Sequence, residues 1–146
     1  MAGKMMYRPK AVLGCQTNFS FLCGASHPEE LVAHAHHLGW QAMGIADRFS
    51  CGGLVRAHMA IKDIAAQNNP DQKPVANLSL DKLICGVGVS LHNGGDILCY
   101  SRTLDGYHSL CQWLSAAMMR SGHNNRALPD MHISDLVRLS SDVIVI

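Results

Sequence analysis

The sequence lacks a charge of one sign. Twelve basic side chains stand against 11 acidic ones, for a formal net charge of +1. A broad basic field is therefore absent, and the charge implies no direct, nonspecific DNA binding. No cysteine pair has C-x-x-C spacing, which excludes a zinc knuckle or a thioredoxin-type motif. No apolar run approaches the roughly 20 residues that cross a bilayer, so no membrane partner is expected. Lys4, Arg8 and Lys10 are followed by no apolar signal region. That pattern points to a cytoplasmic protein with reduced cysteines. Internal repeats and low-complexity tracts are missing as well.

What is present suits one domain. The 146 residues are 48% hydrophobic, enough for a core and too apolar for a disordered linker. Nine histidines and six cysteines invite a metal-site reading. Cys85, Cys99 and Cys111 lie in apolar segments and read as small buried hydrophobes.

Periodicity sets out alternating elements. Ala11 to Cys15 and Ala42 to Ala46 read as buried strands. Between them, Ser26 and Glu29 have capping-box spacing. Leu31, Ala35 and Leu38 repeat at helical spacing, and Gly39 supplies a stop. Gly52-Gly53 opens a second helix, with Leu54, Ala57, His58, Ile61, Ile64 and Ala65 on one face. Residues 67–81 are polar and long for a connection, which suggests a loop insertion. Leu83 to Leu91 and Asp96 to Tyr100 flank Asn93-Gly94-Gly95 and predict a β-hairpin. Tyr107, Leu110, Cys111, Leu114, Ala117 and Met118 form a helical stripe. Ser134 to Leu139 predicts a short helix, and Val143 to Ile146 a buried strand. Strands alternating with helices give the α/β class.

Several of these segments together resemble a known family. Thr17-Asn18-Phe19-Ser20-Phe21-Leu22, then Gly24-Ala25-Ser26-His27-Pro28-Glu29-Glu30-Leu31-Val32, looks like the start of a PHP (polymerase and histidinol phosphatase) domain. More narrowly, it resembles the N-terminal region of bacterial error-prone DNA polymerases. Ile45-Ala46-Asp47-Arg48, Gly53-Leu54-Val55-Arg56-Ala57-His58, Gly106-Tyr107 and Leu110-Cys111 continue the pattern. The resemblance implies a distorted (β/α) barrel, here a partial one: a single, incomplete domain over residues 1–146. It also implies a metal cluster at the strand ends in active members, where metals polarise phosphoryl oxygens and activate water.

The residues at those positions are poor ligands. The family's H-x-H falls on Gly14-Cys15-Gln16, its D-H on Asp47-Arg48, and its later glutamate on Gly88. Glycine offers no donor atom, and arginine stays protonated. Arg48 is expected to form an ion pair with Asp47 where a metal would otherwise sit. No catalytic residue, metal or cofactor is expected. Glu30, His34 and His37 fall on one face of the first helix as an alternative zinc set, weighed against a plain solvated face. Cys15 sits at the mouth of the pocket, with no neighbour that lowers its pKa.

The implied function is a catalytically degenerate PHP module with a structural or interaction role in DNA replication or repair, including translesion synthesis. Its partners would be a polymerase domain or other replication and repair proteins. One alternative is a metal-dependent PHP phosphoesterase using zinc or manganese. Another is a free-standing interaction protein.

Overall fold

The computed structural model describes residues 10–67, 80, 82–92, 94–120, 129 and 131–146. Five strands and three α-helices follow in the order β1 (Ala11–Cys15), α1 (Pro28–His37), β2 (Ala42–Arg48), α2 (Gly52–Gln67), β3 (Lys82–Ser90), β4 (Asp96–Ser101), α3 (Leu104–Arg120) and β5 (Val143–Val145). A short 3₁₀ helix, Ile133–Arg138, precedes β5. The strands form one mixed sheet in the order β1-β2-β3-β4-β5. β1, β2 and β3 run parallel, while β4 and β5 are antiparallel to their neighbours. The α/β class and the β3–β4 hairpin match the sequence reading.

The core lies on one face of the sheet. Side chains alternate along a strand, so Met43 and Ile45 of β2, Val87 and Val89 of β3 and Cys99 of β4 point the same way. The first pair packs with Val32, Ala35, Leu54 and Ala57 of α1 and α2. The others pack with Leu110, Trp113, Leu114 and Ala117 of α3. Burying each large aliphatic side chain contributes about 1.5–3 kcal/mol. Trp113 adds a hydrogen bond, its Nε1–H donating to the Asp135 carbonyl at 2.9 Å.

The opposite face is concave. The Gly14 amide donates to the Tyr100 hydroxyl at 2.6 Å, although β2 and β3 lie between β1 and β4. In a flat sheet three strand spacings would separate them by roughly 14 Å. The Tyr100 ring, lying across Gly86 and Gly44, spans part of that gap, and a curl of the sheet closes the rest. Two local features permit this. Gly14 takes φ +76° at a bulge between Val12 and Cys15, which turns its N–H off the ladder. Gly86 leaves space for the Tyr100 ring, since a Cβ there would lie 2.5 Å from a ring carbon. Curled as it is, the sheet of the described residues stays open. Where the resemblance implies a partial barrel, the described residues form an open five-stranded mixed sheet.

Other expectations need correction. The N-cap of α1 is His27, one residue later than predicted. Its amide donates to the Glu30 carboxylate at 2.9 Å, so Glu30 plays the part expected of Glu29. Pro28, Val32 and Ala35 form the buried stripe, while Leu38 is exposed. The stop at Gly39 is as expected: φ is +70°, and the Trp40 amide donates to the Ala35 carbonyl at 3.0 Å. His58 and Ala65 of α2, and Met118 of α3, face solvent rather than core. β1 and β5 are edge strands, with Leu13 47% and Ile144 48% exposed. They are apolar without being buried on both faces. Within the segment 67–81, Gln67 ends α2 and Leu80 is buried. The remainder of that expected insertion, together with Asn93 of the hairpin turn, lies outside the described residues.

Candidate functional site

The parallel strands β1, β2 and β3 end on one rim, the usual position of ligand sites in α/β sheets. The residues expected to form one pocket there are divided by strand alternation. Asp47 and Arg48 are consecutive in β2 and point to opposite faces of the sheet.

Asp47 lies on the helix-bearing side and is fully buried. Its Oδ1 accepts from the Thr17 amide at 2.6 Å and the Ser20 hydroxyl at 2.7 Å. Its Oδ2 accepts from the Thr17 hydroxyl at 2.8 Å. Thr17 and Ser20 are fully buried as well. The loop supplying them folds back on itself. The Asn18 amide donates to the Ser26 carbonyl at 2.9 Å, and the Cys23 and Gly24 amides both reach the Ser20 carbonyl at 2.9 Å. The first turn of α2 closes the site from the other side. A Cβ on Gly53 would lie 2.5 Å from Asp47 Oδ2 and 2.8 Å from Thr17 Oγ1. Three charge-assisted hydrogen bonds thus replace the hydration of this buried carboxylate.

Arg48 occupies the concave side. Its amide donates to Ser20 Oγ at 3.0 Å. Its Nη2 donates to Ser90 Oγ at 2.9 Å, and Ser90 in turn donates to Asp96 Oδ1 at 2.5 Å. Nη1 faces the Cys23 sulfur at 3.9 Å, and the buried Nε has no partner among the described residues. The expected Asp47–Arg48 ion pair is not formed, because the alternation of β2 separates the two charges.

Of the remaining candidates, Gly14 and Gly88 both lie against the Leu98 side chain, and Gly88 pairs with Arg48 in the sheet. Gly14 sits at the β1 bulge against Leu98, Gln16 is exposed beyond β1, and Gly88 backs onto Ala46 and Leu98. These positions do not fit a metal cluster. Two are glycines, one is a guanidinium, and both oxygens of the one carboxylate already accept hydrogen bonds. His34 and His37 are exposed, and Glu30 is engaged at the α1 N-terminus. Among the described residues no three His, Cys, Asp or Glu side chains converge as a metal set. Burial pushes the Cys15 thiol above its ordinary value, the opposite of an activated nucleophile. No helix among the described residues is long and apolar enough to cross a membrane.

Sequence reading missed Thr17, Ser20, Ser90 and Asp96. Thr17 and Ser20 did carry a signal. Hydroxyl residues three apart, just past a strand, can serve the carboxylate ending the next parallel strand.

Comparison with known proteins matches this architecture. The PHP domain family model covers residues 13–145. The error-prone DNA polymerase of Brucella abortus is 38% identical over 114 residues, spanning 77% of this chain and 10% of that protein. Error-prone DNA polymerase 1 of Rhizobium meliloti is 37% identical over 134 residues, spanning 92% of this chain and 10% of that protein. The chain thus spans about a tenth of the length of the curated relatives it matches. A crystal structure of a proposed metal-dependent phosphoesterase from Bifidobacterium adolescentis superposes with a TM-score of 0.50 at 22% identity. It covers 77% of this chain and 36% of its own, a likeness of fold.

Proposed function

This chain belongs to the PHP domain family, and from that premise we propose that it serves as a non-catalytic PHP module with a structural role in DNA replication or repair. Its curled sheet would be part of a (β/α) barrel. The observation that carries this reading is the state of Asp47. Its carboxylate is the one strong ligand kept at the expected metal positions, and Thr17 and Ser20 consume it as a structural clamp. Gly14, Gln16, Arg48 and Gly88, the other positions that the resemblance marks, bring no further strong ligand to polarise a phosphoester or activate water.

Its work is then done by surfaces. Phe21 is 84% and Leu22 90% exposed on the loop pinned to Asp47. Ile144 and Val145 line a sheet edge. These support packing against a polymerase domain or another replication or repair protein. The test is manganese binding together with phosphatase activity on p-nitrophenyl phosphate. The expected result is no stoichiometric manganese and no turnover above buffer. Stoichiometric manganese with chelator-sensitive turnover, both lost in Asp47→Asn, would establish the phosphoesterase instead.

A further inference from the structure

One end of the molecule carries both a projection and a recess. The projection is the tip of the loop after β1, where Phe21 is 84% and Leu22 90% exposed. Its base is fixed. Thr17 and Ser20 are tied to Asp47, and the Cys23 and Gly24 amides donate to the Ser20 carbonyl at 2.9 Å. Leu22 holds φ 62°, unfavourable for a residue with a Cβ, and such strain is kept where a site uses it. The recess is a groove of about 360 Å³ between α1 and α2. Ala33 of α1 and Val55, Met59, Ala60 and Ile64 of α2 give it an apolar lining. Its polar members are Asp63 and the Glu29–Arg56 ion pair, closed at 2.6 Å.

The two features are complementary. A cavity of about 150 Å³ holds a benzene ring, so the groove has room for a phenyl and an isobutyl group together. The buried Glu29 Oε2 has no partner among the described residues. The Phe21 and Leu22 amides donate to no group among the described residues. Each side thus supplies the polar partner that the other lacks. Their positions suit a symmetric exchange. The loop runs directly into α1, and a Cβ on Gly52, the first residue of α2, would lie 2.6 Å from the Phe19 ring. Glu29 and Arg56 stand in the first two turns of those helices. Within one copy the tip does not fill the groove, since both of its side chains stay exposed. A surface that carries both a tip and a recess meets a copy of itself about a twofold axis. We propose that this chain self-associates as a twofold dimer, with Phe21 and Leu22 of each copy seated in the α1–α2 groove of the other. The fixed base of the loop lowers the ordering cost of that contact. Two small contacts make a weak interface, with Kd roughly in the micromolar range.

The experiment is sedimentation equilibrium of the full chain from low to high micromolar concentration. The expected result is a reversible monomer–dimer equilibrium that stops at the dimer. Phe21→Ser at the tip and Met59→Glu in the groove should each weaken it at least about 10-fold. Val137→Gln, at a residue 87% exposed on the 3₁₀ helix, should leave it unchanged. The decisive sample mixes the Phe21→Ser and Met59→Glu chains. Each alone loses both contacts, whereas a mixed pair keeps one intact tip in one intact groove. The mixture should therefore associate more tightly than either variant and less tightly than the parent. Circular dichroism establishes that each variant is folded, and Leu22→Gln and Val55→Glu replace either one that is not. A monomer at every concentration, growth beyond the dimer, or a mixture no tighter than its components overturns the proposal. The non-catalytic reading is tested separately by manganese binding, so the two fail independently.

Discussion

Removing the Asp47 carboxylate tests the clamp most directly. In Asp47→Ala the Thr17 amide, the Thr17 hydroxyl and the Ser20 hydroxyl all lose their acceptor at once. All three groups belong to fully buried residues. A hydrogen bond to a charged group is worth about 1.5–3 kcal/mol. The three losses are not additive, because the loop relaxes and water enters the space left by the carboxylate. A net cost of about 3–5 kcal/mol follows, a large share of the ~5–15 kcal/mol that holds a domain together. Asp47→Asn keeps the shape and one acceptor oxygen, so its cost is about 1–2 kcal/mol. Urea unfolding followed by circular dichroism gives both values. At roughly 3–4 °C per kcal/mol for a chain of this size, the alanine variant should melt about 9–20 °C lower. A carboxylate held ready for a metal behaves otherwise, since removing it from the metal-free protein leaves stability level or raised. An alanine variant within about 0.5 kcal/mol of the parent would refute the clamp.

Three further outcomes follow from the geometry. Gly53→Ala pushes a methyl into Asp47 and Thr17, both fixed by their mutual hydrogen bonds, and should cost about 1–3 kcal/mol. Gly95→Ala, with nothing within 4 Å, should stay within about 0.5 kcal/mol, and equal effects in urea unfolding would contradict the packing. Leu22 holds a left-handed backbone at φ 62° while 90% exposed, so Leu22→Gly should raise stability by about 0.5–1 kcal/mol; a drop would mean that the side chain packs. Its hydrogen bond to Cys111, then burial, pushes Tyr107 up to about 12, and burial pushes Tyr100 above the ordinary 10.0. The folded state therefore holds phenol protons that the unfolded chain gives up. This stabilisation is complete below pH 10.0 and is lost as pH rises through about 12. Phenolate absorbance should show Tyr100 and Tyr107, two of the chain's three tyrosines, titrating late, and all three titrating in one step near the ordinary value would be inconsistent with the fold.

The sequence by itself determined the element types, the α/β class and the family. Apolar spacing, Gly39 and the hairpin glycines act over a few residues, so they are legible locally. The poverty of ligands at Gly14, Arg48 and Gly88 was equally plain, because it depends on side-chain chemistry alone. Tertiary structure decided which strands are edges. Ala11–Cys15 and Val143–Val145 are as apolar as a central strand, and only pairing leaves one side of each without a strand partner among the described residues. It also decided the fate of two adjacent charges. Strand alternation sends Asp47 inward to Thr17 and Ser20, and Arg48 across the sheet to Ser90. Those partners lie 27 to 42 residues away along the chain. No local pattern encodes such distances. The curl of the sheet and the turn of the loop after β1 bring them together.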